Sequence, residues 1–209
     1  MTQTDVLAPA RPLDDAILHV LFDGAHTTNT FTAEPVDVGV VRRAYEHLRW
    51  APTAMNIQPL RLTLLTTRSS REAMAAHLAP GNQDKTLAAP LTLVAAYDPA
   101  FHEHLAVLAP HRAHMRDSLE AQPATRETMA RTNGLIQLGY LILALRAQGL
   151  QVGPIGGMDA AGVDAELHAR SGWRTLAVVN VGHAADPADP SAQHPRAGRL
   201  SFAEATDVR

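Results

Sequence analysis

The sequence predicts an α+β fold in which helices pack on a small sheet, and three observations predict it. Helical and strand-like periodicities fall in separate segments rather than in a regular βαβ alternation. The strand-like segments, at 60–67, 91–97, 150–155 and 175–181, are too few for a doubly wound sheet. One helix, over about 125–148, is apolar on nearly every face from Leu135 to Leu145, which marks it as central and buried.

Residues 1–12, with Pro9 and Pro12 and little hydrophobic periodicity, read as a flexible arm; residues 13–209 read as a single domain. Leu13 to Phe22 has apolar residues at helical spacing, with Gly24 as its stop. Asp37 caps a second helix running to about Trp50, with Val40, Val41, Ala44, Tyr45 and Leu48 on one side. Leu60 to Thr67 alternates as a strand. Ser69 or Ser70 caps a helix through Leu78, which Pro80-Gly81 breaks, leaving Asn82-Gln83-Asp84-Lys85 as a polar cluster. Leu91 to Tyr97 reads as a buried strand. The long helix carries Gly134 and Gly139, each costing about 1 kcal/mol against alanine, so something approaches closely there, and Gly149 ends it. Leu150 to Ile155 is a short strand, Asp159 caps a further helix, and Thr175 to Val181 is a buried strand. Residues 186–195 read as a proline-rich linker and 196–209 as a tail.

At 209 residues, 46% hydrophobic and 19% charged, the chain has the composition of a globular protein with one sizeable core. Eighteen basic against twenty-one acidic residues give a net charge of −3, which lacks the basic footprint of a nucleic-acid binder. The absence of cysteine excludes disulfide scaffolds, thiolate metal sites and a cysteine nucleophile. Residues 1–12 lack the order of a secretory signal, and the apolar run Leu138 to Ala147 contains Arg146 and falls far short of a membrane span. A cytoplasmic protein that binds neither membrane nor nucleic acid is expected.

The segment Ala51-Pro52-Thr53-Ala54-Met55-Asn56-Ile57-Gln58-Pro59 carries the most information. Its prolines restrict the backbone at both ends, and Thr53, Asn56 and Gln58 can donate and accept hydrogen bonds. It suits a flat heterocycle whose edge alternates carbonyl, N–H and carbonyl, as a flavin's does. Gly153-Pro154-Ile155-Gly156-Gly157 reads either as a strand-to-helix turn or as a place where backbone N–H groups approach a ligand. Arg196 and Arg199 are either surface charge or a phosphate clamp, and Asn82 with Lys85 carries the same two readings. His102, His104, His111 and His114 lie close in sequence, but no carboxylate or thiolate completes a metal set, so no metal is expected. No Gly-x-Ser-x-Gly nucleophile elbow is present.

The order of these pieces resembles the nitroreductase-like FMN oxidoreductases. Residues 51–59 are similar to that family's Ala-Pro-Ser-x-x-Asn-x-Gln-Pro signature, and 26–31 (His-Thr-Thr-Asn-Thr-Phe) to its Arg/His-Ser segment ahead of an aromatic. Asn82 to Lys85 resembles its Asn-x-x-Lys, and 153–159 its Pro-Ile-Gly-Gly-Phe-Asp turn. Within the family, 81–87, 131–133 and 195–205 resemble the malonic semialdehyde reductase branch.

The resemblance implies a mainly antiparallel sheet flanked by helices in an intertwined homodimer, with FMN at the subunit interface. Pro52, Thr53, Ala54 and Asn56 would contact FMN from the opposite subunit. Pro154, Gly156 and Gly157 would line the ring near N5, Asn82, Lys85 and Asn133 would hold ring edge and ribityl chain, and His26, Thr27, Arg196 and Arg199 would surround the phosphate. Relatives place basic residues where this chain has Ala25 and Asn29, which leaves Arg196 and Arg199 more of the attraction. NADH or NADPH would deliver hydride and a small-molecule acceptor would take it in a ping-pong cycle. No side chain stands out as a proton donor, so none is assigned as catalytic. The acceptor implied first is malonic semialdehyde, reduced to 3-hydroxypropionate; a broad nitro- or quinone reductase and a non-catalytic flavin-binding protein are the alternatives.

Overall fold

The computed structural model describes residues 11–185 and 194–209; most of the expected arm (1–10) and linker (186–193) lies outside them. Four strands, β1 (Leu60–Leu65), β2 (Leu91–Tyr97), β3 (Gln151–Ile155) and β4 (Arg174–Gly182), form one sheet in the order β1-β2-β4-β3. All three pairings are antiparallel, with Leu60 opposite Tyr97, Leu93 opposite Val179, and Val152 opposite Val181.

Every residue of β2 is buried, because helices cover both faces of the sheet. On one face Leu93 and Ala95 pack with α2 (Val38–Leu48) and the long helix, here α7 (Pro123–Ala147), through Val41, Leu48, Leu141 and Leu145. On the other, Val94 and Val178 pack with Met74, Leu78 and Val163, which come from α3 (Arg68–Ala75), the turn after it, and α8 (Ala160–Leu167). A third cluster around Ile57, Tyr97, Phe101 and Leu105 closes one end. This is the α+β fold that the periodicities predict, with the antiparallel sheet that the resemblance implies. Among the described residues no helix is long and apolar enough to cross a membrane.

Several boundaries differ from the sequence reading, each for a local reason. The first helix, α1, starts at Asp15 because Asp14 accepts the Ala16 N–H at 2.8 Å. Thr67, not Ser69 or Ser70, caps α3; Ser70 is the third helical residue of a reciprocal capping box. Pro80 does not break a helix but opens one, α4 (Pro80–Ala88), where a first-turn proline loses no hydrogen bond. Asn82 and Lys85 therefore sit on a helix rather than in a loose polar cluster. Between β2 and α7 the chain makes short helical turns, including α5 (Leu105–Leu108) and α6 (Arg116–Glu120). The tail carries one more helical turn, α9 (Phe202–Ala205), capped by Ser201 and Glu204.

The long helix is only half buried. Asn133, Gly134, Gln137, Leu141 and Leu145 face inward, while Leu135, Ile136 and Tyr140 are each 42% exposed. Gly134 meets the expected close approach: a Cβ there would stand 3.0 Å from Leu176 Cδ1 and 3.1 Å from Tyr97 Cβ. Gly139 does not: a Cβ there would meet nothing within 4 Å among the described residues. Gly149 ends the helix at φ 77°.

Candidate functional site

Residues 51–59 leave α2 and enter β1 as a tight, strained loop. Met55, Asn56 and Gln58 all adopt positive φ, at 57°, 56° and 37°, a region ordinary side chains rarely occupy. Hydrogen bonds hold it from within and beneath. The Gln58 N–H donates to Thr53 Oγ1 (3.3 Å), and Gln58 Nε2 donates to Asn56 Oδ1 (2.8 Å). Asn56 Nδ2 donates to the Leu108 carbonyl (2.7 Å), tying the loop to α5. Arg61, paired with Asp98 at 2.8 Å, donates to the Gln58 carbonyl. Ile57 is buried as an anchor, which leaves Pro52, Ala54 and Asn56 exposed on the outside.

Asn133 does not face open space beside them. It is 5% exposed; its Oδ1 accepts the Ala54 N–H at 2.7 Å and its Nδ2 donates to the Met129 carbonyl at 2.8 Å. It thus supports the loop from below.

A second group forms around the end of β3. Gly156 and Gly157 are exposed, and a Cβ on Gly156 would meet nothing within 4 Å. The turn is pinned by the Ala79 N–H and by Asn82 Nδ2, both donating to the Gly157 carbonyl (2.9 and 3.1 Å). Lys85, one turn along α4, has no side-chain hydrogen bond or ion pair among the described residues. Asn82 is therefore brought to Gly156 and Gly157, with Lys85 one turn along α4 and Pro154 preceding the turn in β3.

A third group lies at the start of β3. The Thr28 N–H bonds the Val152 carbonyl (3.0 Å) and Thr28 Oγ1 bonds Gln151 Oε1 (3.2 Å), which lays residues 26–28 along that strand. Beside them is a cavity of about 630 Å³ into which His26, Thr27, Arg196 and Arg199 all look. The two resemblance-derived halves, one before α2 and one in the tail, thus meet. Sequence reasoning missed a fifth member, Arg146, from the last turn of α7. Its signal was available as the lone charge in the apolar run 138–147. Burial lowers the Arg146 pKa from its very high ordinary value, and its Nη1 donates to the Leu21 carbonyl at 3.0 Å.

Three guanidiniums thus face the cavity against one carboxylate, Asp23. That carboxylate is held below its usual range chiefly by a hydrogen bond from His19, with Arg196 adding attraction. Among the described residues Arg199 bonds the carbonyls of Ala197 and Gly198, and Arg196 that of Ala25. Excess positive charge beside a roomy cavity suits a phosphate, which arginine binds bidentately.

The histidines do not assemble into a metal centre of the kind weighed from sequence. His111 and His114 lie on an exposed turn. Buried His102 lies with Glu103 and Glu120, its Nε2 2.5 Å from Glu120, but Arg126 and Arg116 already neutralise those carboxylates at 3.2 and 2.7 Å.

Comparison with known proteins matches this geometry to one family. The model of the Nitroreductase family matches residues 23–183. A provisionally named NADH dehydrogenase/NAD(P)H nitroreductase of Leptothrix cholodnii is 43% identical over 94% of this chain and 98% of its own length. A protein of the same description from Streptomyces coelicolor is 44% identical over 80% and 83%. Among solved structures, a provisionally named nitroreductase in complex with FMN from Exiguobacterium sibiricum superposes with a TM-score of 0.78 at 17% identity, covering 96% of this chain and 99% of that one. A Staphylococcus epidermidis protein provisionally named an NAD(P)H:FMN oxidoreductase gives 0.76 at 14% identity, covering 96% and 98%.

Proposed function

The chain belongs to the nitroreductase family, and from that premise we propose that it holds FMN between two copies of itself and reduces a small acceptor with NAD(P)H. It is an FMN-dependent NAD(P)H oxidoreductase. The observation that carries the site assignment is the placement of a cationic cavity and an exposed diglycine turn at opposite ends of β3.

His26, Thr27, Arg196 and Arg199, joined by Arg146, hold the phosphate. Asn82 and Lys85 hold the ribityl chain and ring edge, and Pro154, Gly156 and Gly157 present backbone to the ring, where N–H groups balance negative charge on it. FMN, when bound, supplies the hydride relay between NAD(P)H and the acceptor, while the protein supplies orientation and electrostatics.

A single chain leaves this site one wall short. Asn133, under the 51–59 loop, and Arg146, at the cavity, are about 20 Å apart along α7 at 1.5 Å per residue. The same helix exposes Leu135, Ile136, Gly139 and Tyr140 on one face. A second copy seated on that face buries it and brings Pro52, Thr53, Ala54 and Asn56 to the other chain's flavin. Both the open apolar face and the separation of the two halves support the homodimer.

For the acceptor, the relatives' names, which include NAD(P)H nitroreductase, favour a nitro compound. One observation favours a small acid such as malonic semialdehyde: Arg112, on the turn following α5, has no acidic partner among the described residues, its Nε bonding His111. Nearby Arg116 is already bound to Glu103 and Asp117. The purified protein is expected to show flavin absorbance that NADH or NADPH bleaches under anaerobic conditions. Oxidation of the nicotinamide with malonic semialdehyde, a nitroaromatic and a quinone then ranks the acceptors, and a colourless protein that gains no flavin on adding FMN contradicts the assignment.

A further inference from the structure

We infer that Asn133 and Gln137 are a two-amide clamp that positions the 51–59 loop for the flavin; this rests on the FMN reading above. The two side chains are one turn apart on α7, 5% and 4% exposed, and grip the two ends of the loop. Asn133 Oδ1 accepts the Ala54 N–H at 2.7 Å, and Gln137 Oε1 accepts the Leu60 N–H at 2.9 Å. A backbone N–H can only donate, so both amides must present oxygen to the loop. Asn133 is oriented further because its Nδ2 donates to the Met129 carbonyl.

Between the two grips the chain passes through its three left-handed non-glycine residues, Met55, Asn56 and Gln58. Such conformations persist only where the surroundings over-determine them. Gly134 sets the height of the clamp: without a Cβ, α7 presses onto Leu176 and Tyr97 at the turn from which both amides reach. Asn133 meets Ala54 at its backbone N–H and Gln137 meets Leu60 at its own, so both amides hold the loop by its main chain. The pair therefore acts through the loop, as positioning residues.

Four variants test this, Asn133→Leu, Asn133→Asp, Gln137→Leu and Gln137→Glu, read by hydrogen exchange of the apo-protein and by FMN titration. The leucine variants should deprotect the Ala54 or Leu60 amide and raise the FMN Kd at least about tenfold, the weight of one net hydrogen bond. In the Asn133→Asp variant the protonated carboxyl offers the same acceptor and donor as the native amide, whereas the ionised form turns an acceptor toward the Met129 carbonyl. Its FMN affinity, relative to wild type at each pH, should therefore recover on acidification, and Gln137→Glu, which keeps an acceptor for the Leu60 N–H in either form, should bind FMN better than Gln137→Leu. Leucine variants whose Kd stays within twofold of wild type, or an aspartate variant with no pH-dependent recovery, overturn the clamp. A wild-type protein that takes up no FMN overturns the flavin reading instead, and is told apart because there the reference itself fails.

Discussion

The carbonyl oxygen of Thr28 lies 2.3 Å from where a Cβ on Gly153 would stand. That approach presses residues 26–28 against β3 and so places His26 and Thr27 at the cationic cavity. No side chain fits between. Gly153→Ala should displace the 26–31 segment, cost about 1–3 kcal/mol by overpacking, and weaken FMN binding. Thermal unfolding together with flavin titration checks it; unchanged FMN affinity would detach this segment from the phosphate site.

The cavity's arginines divide into two kinds. Among the described residues Arg199 hydrogen-bonds backbone of its own tail turn alone, so Arg199→Ala should release FMN far more than it lowers the melting temperature. Arg146 is partly buried and bonded to Leu21, so Arg146→Ala should lower both. Flavin content after gel filtration, set beside calorimetry, separates the two, and an Arg199→Ala protein with undiminished flavin would refute the phosphate assignment.

How far the sequence foretold this molecule depended on how local each cause was. Asp37 and Asp159 cap their helices as expected, since a cap is settled by neighbours two or three residues away. Pro80 misled because a proline that ends one helix and a proline that starts the next look alike in sequence; only the first-turn position distinguishes them. Arg196 and Arg199 were legible through resemblance, but Arg146 was hidden inside an apolar run. The bond from the Ala54 N–H to Asn133 was not legible, because the two residues are 79 positions apart. Leu135, Ile136 and Tyr140 are exposed on a helix expected to be buried all round, because an apolar run reports side-chain chemistry and not what covers it.

The exposed face of α7 gives a test of assembly. Ile136→Glu puts a charge where an apolar surface should be covered, and an unpaired buried charge is strongly disfavoured. The variant should elute as a monomer and lose FMN, with its secondary structure retained. A flavin-loaded dimer carrying this substitution, seen by light scattering, would move the interface elsewhere.

Tyr97, 6% exposed, hydrogen-bonds Glu127 through its phenol, and burial followed by that carboxylate raises its pKa above the ordinary value. The folded state therefore holds this proton more tightly than the unfolded chain, whose tyrosines titrate near about 10. The resulting stability is complete below that pH and fades as pH rises toward the folded value. Tyr97→Phe should cost about 1 kcal/mol at neutral pH, the worth of a hydrogen bond, with the deficit narrowing above about pH 10. It should also remove the last-ionising phenol from the ultraviolet titration curve. A deficit that does not change with pH would contradict this.

In the proposed homodimer each flavin site is built from the cavity of one chain and the 51–59 loop of another. Mixed dimers distinguish this from a site within one chain, pairing a chain carrying Arg199→Ala with a differently tagged chain carrying Thr53→Ala and Asn56→Ala. If the loop serves its partner, one site collects every substitution and the other collects none, so the isolated mixed dimer should bind one FMN tightly although neither parent does. Mixed dimers that bind no more flavin than their parents would show that cavity and loop serve the same chain, and would contradict the account.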